Sequence, residues 1–152
     1  MGKNIQRENT CLKIVLFGPE CTGKTTLAKL LANHYKSQWV PEFAREYLQK
    51  KWDKFQKVCT KKDLLKIVSG QLKMESNKIS KARKFLFCDT NILVTRIWSE
   101  THFDGYCDPE IIKLSEKLSY DYYLLTSIDV PWKKDDLRDR PYDREKMFSY
   151  FK

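Results

Sequence analysis

LKIVLFGPECTGKTTLAKLLANHY, residues 12–35, decides the fold. Leu12, Ile14, Val15, Leu16 and Phe17 make a near-continuous apolar run broken by Lys13, the pattern of a parallel strand covered on both faces. Gly18-Pro19-Glu20-Cys21-Thr22-Gly23-Lys24-Thr25 then satisfies G-x-x-x-x-G-K-[ST] at each fixed position. Leu27, Ala28, Leu30, Leu31 and Tyr35 follow at helical spacing. Strand, glycine-bounded loop and helix arrive in the order a phosphate-binding loop requires.

The residue types explain the chemistry. Glycines 18 and 23 let the backbone turn tightly, so the N–H groups of the loop, Glu20, Cys21 and Thr22 among them, can surround a phosphate at the helix N-terminus. Lys24 adds a mobile positive charge for the β- and γ-phosphates of an NTP. Thr25 can place its hydroxyl on a bridging Mg²⁺, and Thr26 stands near the α-phosphate.

Length and composition describe one domain with a sizeable core: 152 residues, 41% hydrophobic and 32% charged. No apolar run approaches the roughly 20 residues that span a membrane, and the start lacks the apolar core of a signal peptide. A cytoplasmic protein is expected, with no membrane partner. The net charge of +9 is scattered over many segments without an aromatic-interleaved module, so no nucleic-acid partner is expected. Five cysteines, with only His34 and His102 beside them, show no zinc spacing and read as reduced thiols.

Residues 1–11 read as a polar lead-in to a single domain over 12–152. Ser37 to Val40 reads as a second strand, stopped by Pro41, which then opens a helix at its favoured first position. Glu42 and Arg45 share a face of that helix, as a surface pair or as ligands at the end of a strand. Residues 50–62 are lysine-rich and read as a solvated helix or loop; residues 63–82 suggest one or two helices. Ser69-Gly70-Gln71 resembles the signature of ABC-transporter ATPases, but it has one glycine where that signature has two, and Asp89 is followed by Thr90 rather than glutamate. It reads as helix.

Phe85 to Cys88 forms the third strand and ends in Asp89. Beside the first strand, this acid would meet Thr25, where it can orient Mg²⁺ or accept a proton from an attacking hydroxyl. It can equally cap the following helix, as can Thr90 or Asn91. Residues 102–109 form a loop of aromatic and acidic groups, 111–118 a helix and Tyr122 to Thr126 a fourth strand. The charge run Lys133 to Pro141 contains Arg138 and Arg140, which suit a lid that closes on ATP and neutralises the transferring phosphoryl group.

GPECTGKTTLAKLLA, VPEFAREYL, GQLKMESNKISKARKFLFCDTNILVT and YYLLTSIDVPWKKDDLRDRP together resemble the ribosylnicotinamide kinase family. The more specific parts are the PEFAR segment, FCDT and the DVPW…DDLR lid. The resemblance implies ATP- and Mg²⁺-dependent phosphorylation of the 5′-hydroxyl of nicotinamide riboside. It implies that Lys24 and Thr25 hold phosphate and metal and that Asp89 is base or metal-side acid. It further implies that Glu42 and Arg45 serve the nucleoside and that Arg138 and Arg140 act from the lid. No counterpart of the adenylyltransferase fused to some of these kinases precedes the first strand, so adenylyltransferase and repressor functions are not expected.

The expected architecture is a three-layer α/β P-loop NTPase, mostly parallel, of strand order 2-3-1-4, with the family's fifth strand apparently missing. The edge this leaves is a possible route to an oligomer. The alternatives are a kinase for another nucleoside or small metabolite, and a nucleotide-binding regulatory module without turnover. A GTPase switch is disfavoured, since no N-K-x-D motif occurs.

Overall fold

The computed structural model describes residues 11–152, so all of the expected lead-in except Cys11 lies outside the described residues. Strands β1 (Leu12–Phe17), β2 (Gln38–Val40), β3 (Phe85–Asp89) and β4 (Tyr122–Leu125) form one sheet of order β2-β3-β1-β4. Every pairing in it is parallel. Helices α1 (Lys24–His34), α2 (Phe43–Phe55), α3 (Lys61–Ile79), α4 (Ile92–His102) and α5 (Pro109–Lys117) fill the connections, and α6 (Arg144–Phe151) follows β4. The expected order of four strands is the one found.

β1 and β3 are the central pair, and alternation along them separates the two faces. Val15, Leu86 and Cys88 point toward α3, where they join Val40, Ala82 and Tyr120 in one core. On the opposite face Tyr35, just past the end of α1, stacks on Phe87 and meets Phe85 edge-on. Val15, Leu16, Leu86 and Phe87 are essentially inaccessible, and burying each such side chain is worth about 1.5–3 kcal/mol. A second core of Leu64, Val68, Ile92, Cys107 and Ile111 joins α3, α4 and α5.

Several boundaries differ from the sequence reading. The buried stripe of α1 is Lys24, Ala28 and Ala32, while Leu30 is 61% exposed. Alanines let the helix lie close on the sheet, which turns the leucines outward. The α2 helix starts at Phe43 rather than Pro41, because Glu42 is held in an extended conformation. Residues 61–79 are one continuous helix, opened by a reciprocal cap in which Asp63 accepts from Thr60 N–H at 2.7 Å and Thr60 Oγ1 at 2.9 Å. All four residues of β4 are exposed, so the edge beyond it is open among the described residues.

Candidate phosphate and acceptor site

The C-terminal ends of the strands converge on the loop between β1 and α1. Gly18 has φ of 144° and lies so close to Thr126 that an added Cβ would stand 2.6 Å from its Oγ1. Only glycine permits both that torsion and that approach. Within the loop Thr22 Oγ1 donates to Pro19 O at 3.0 Å and lies 2.5 Å from Thr126 Oγ1. Lys24 Nζ donates to Pro19 O at 2.6 Å and Gly18 O at 3.1 Å. Burial pushes its ammonium below its ordinary value, against the pull of Glu42, Asp89 and Glu20.

The sheet register sets Asp89 opposite Leu16, at the mouth of the loop. Thr25 Oγ1 donates to Asp89 Oδ2 at 2.5 Å. Asp89 Oδ1 is buried without a hydrogen-bond partner among the described residues. Asp89 does not cap α4: Asn91 does, its side chain accepting from Leu93 N and Val94 N at 3.1 and 3.4 Å. Between them Thr90 has φ of 71°, a left-handed conformation that a β-branched residue adopts only at a cost. Burial pushes the carboxyls of Asp89 and Glu42 above their usual range, and the Asp89 charge adds to the effect on Glu42. Glu20, buried near Asp139, is pushed up to about 7.

A cavity of about 420 Å³ joins the phosphate loop to Glu42. Gly18 to Thr26 forms one wall, Glu42 and Arg45 a second, and Arg138 the lid side. Leu48, Trp52, Ile67, Val94, Trp98 and Phe103 add apolar and aromatic surface, and Gln71, His102 and Asp139 further polar groups. The structure thus brings together the loop residues, Glu42, Arg45 and Arg138 on one cavity, with Asp89 tied to Thr25 beside them.

Arg140 stands apart from them. It donates to Thr101 O at 2.8 Å and, through Nε, to His102 Nε2 at 3.2 Å, on the end of α4. Arg45 is paired with Asp135 of the lid at 2.8 Å rather than with Glu42. Two contributors escaped the sequence reading. Trp98, stacked on His102 at 4.0 Å, had only its place in an amphipathic helix to mark it. Gln71, 4% exposed and on the cavity wall, stood in the tripeptide read simply as helix.

A family model described as an AAA domain matches residues 13–152, nearly the whole chain. The chain belongs to the AAA-domain family. This AAA domain is 26% identical over 125 residues to the trifunctional NAD biosynthesis/regulator protein NadR of Salmonella typhimurium strain LT2. The figures for the protein of the same name in Escherichia coli strain K12 are the same. Each match covers 82% of this chain and 30% of the relative, so the domain spans about a third of their length. Among solved structures, NadR in complex with NAD and AMP-PNP superposes with a TM-score of 0.70 at 20% identity, over 92% of this chain and 39% of that one. NadR in complex with NR gives 0.60 at 23% identity, over 76% and 34%. Deoxyadenosine kinase from M. mycoides, with products dCMP and dCDP bound, gives 0.56 at 17% identity, over 92% and 83%. At these identities the structural likeness speaks for the fold.

Proposed function

We propose that this domain transfers the γ-phosphoryl group of ATP to the 5′-hydroxyl of a nucleoside, and that the nucleoside is nicotinamide riboside. The observation that carries the reading is the Thr25–Asp89 pair at the mouth of a phosphate loop, opening onto a cavity that Glu42 and Arg45 also line. Loop N–H groups and Lys24 hold the β- and γ-phosphates, with Lys24 exchanging its loop carbonyls for phosphate oxygens. The unpartnered Asp89 Oδ1 beside the Thr25 hydroxyl fits a magnesium ion, directly or through water. When bound, Mg²⁺ neutralises charge on the phosphates; Thr25 and Asp89 are the residues that would hold it.

Asp89 or Glu42 accepts the proton of the acceptor hydroxyl, and the raised affinity of both for protons suits that task. Arg138 faces the cavity from the lid and balances charge on the phosphoryl group. Arg140 keeps the lid on α4. Three crowded carboxylates, Glu20, Glu42 and Asp89, beside aromatic faces favour a cationic acceptor, as the pyridinium of nicotinamide riboside is. The NadR relatives give the same direction.

A coupled assay with ATP against nicotinamide riboside, deoxynucleosides and no acceptor tests the assignment. Turnover of the riboside is expected. Turnover of deoxynucleosides alone would move the acceptor to another nucleoside, and tight ATP binding without turnover would leave a regulatory module. Lys24→Ala should abolish transfer with the circular dichroism spectrum unchanged; undiminished turnover in it would remove the proposed phosphate contacts.

A further inference from the structure

We infer that Gln71 is a positioning residue for Glu42, an inference that rests on the kinase reading for its catalytic consequence. Glu42 sits in a two-residue link between β2, which ends at Val40, and α2, which starts at Phe43. Its backbone is extended, with φ of −71° and ψ of 104°, and its side chain makes no capping bond to the helix it precedes. Neither the sheet ladder, which stops at Val40, nor a capping bond from its own side chain fixes it.

One side chain does. Gln71 Oε1 accepts from Phe43 N–H at 2.8 Å, and Gln71 Nε2 donates to Pro41 O at 3.3 Å. These are the amide just after Glu42 and the carbonyl just before it, so a single primary amide grips the residue from both sides. Only glutamine and asparagine carry the N–H donor and C=O acceptor of a primary amide on one planar group, and asparagine is a methylene shorter. Buried at 4% exposure, the pair of bonds has little competition from water.

Gly70 completes the seat. A Cβ there would overlap the ring of Phe43, the first residue of α2. Glycine is a poor residue for the middle of a 19-residue helix. The dipeptide Gly70-Gln71 therefore answers a need of α2 and not of α3: the glycine admits Phe43, and the glutamine fixes the turn beside it. Glu42, which lines the cavity, is thereby held where it would meet the acceptor.

The test is a cycle of Gln71→Met, Glu42→Gln and the double variant, with Gln71→Ala as a second probe, since water can reach the freed backbone groups in it. Q71M is expected to raise KM for the nucleoside about tenfold with KM for ATP within twofold. On the E42Q background it should add little, because both changes disable the same carboxylate. Amide exchange in the peptide containing residues 41–45 should speed up at least tenfold in Q71M while the sheet peptides keep their rates. Full additivity with E42Q, or an unchanged nucleoside KM with unchanged exchange, would overturn the inference. Should the wild-type protein phosphorylate no nucleoside, the kinase reading fails, and the exchange rates alone decide whether Gln71 holds the link.

Discussion

Asn91 caps α4, while Asp89, two residues before it, has the metal-holding and proton-accepting part in the proposed reaction, and substitution separates the two. Asn91 satisfies two N–H groups of α4, so Asn91→Ala should cost about 1 kcal/mol of stability, seen as a lower denaturant midpoint at an unchanged slope. Asp89 is a crowded acid whose ionisation burial opposes, so Asp89→Asn should leave metal-free stability unchanged or improved. Phosphoryl transfer in it should nevertheless fall by at least a hundredfold. A large loss of stability in Asp89→Asn would return Asp89 to a structural role. Glu20 gives a pH signature. Its carboxyl is pushed up to about 7 in the folded protein from an unfolded value near 4.5, so between those pH values the folded state binds the extra proton. Stability from this group is full below about 4.5 and is lost as the pH rises through 7, by at most about 3 kcal/mol. Glu42 and Asp89 act in the same direction. Glu20→Gln should therefore flatten, without abolishing, the fall in melting temperature from pH 5 to 8. An identical profile in the variant would show that Glu20 ionises freely.

At the scale of elements, what could be read from the sequence was whatever depends on local pattern. β1, the loop and α1 were legible because an apolar run, two glycines and a helical repeat adjoin, and β3 because its apolar run ends in a single acid. The start of α2 was not legible: a proline normally opens a helix, and here a side chain 30 residues away holds Pro41 and Glu42 extended. Nor was the inward face of α1, since leucines outrank alanines on any hydrophobicity scale while close approach to the sheet favours alanine. Trp98 and Gln71 belong to the same class, because the cavity they line is made only when α2, α3 and α4 meet. Residues 63–82 read as one or two helices where a single one runs over 61–79, since Gly70 weakens the helical pattern locally while making room for the ring of Phe43.

On the scale of the molecule, the segment between β4 and α6 behaves as a strap fastened at several points. Cys21 Sγ accepts from Lys133 N at 3.2 Å, Asp135 pairs with Arg45 at 2.8 Å, and Asp136 accepts from Gln49 at 2.9 Å. At its far end Asp139 lies 3.2 Å from His102, and Arg140 is tied to α4. Arg144 of α6 donates to Cys21 O at 3.1 Å, which returns the chain to the phosphate loop. The strap's two arginines should then fail differently. Arg138→Ala removes a charge facing the cavity, so kcat should fall about a hundredfold or more. It also frees Lys133 O and one partner of Asp135, but the ties of the strap to α2, α4 and the phosphate loop remain, so trypsin sensitivity should rise less than in Arg140→Ala. Arg140→Ala removes a fastening, so trypsin should cut after Lys133 or Lys134 several times faster, with both KM values raised and kcat at saturation changed only a few-fold. An ATP analogue should restore resistance to trypsin in Arg140→Ala, because ligand binding repays the lost fastening. If instead Arg140→Ala loses kcat as Arg138→Ala does and its strap resists trypsin, Arg140 acts on the phosphoryl group and the strap is held by its other contacts alone.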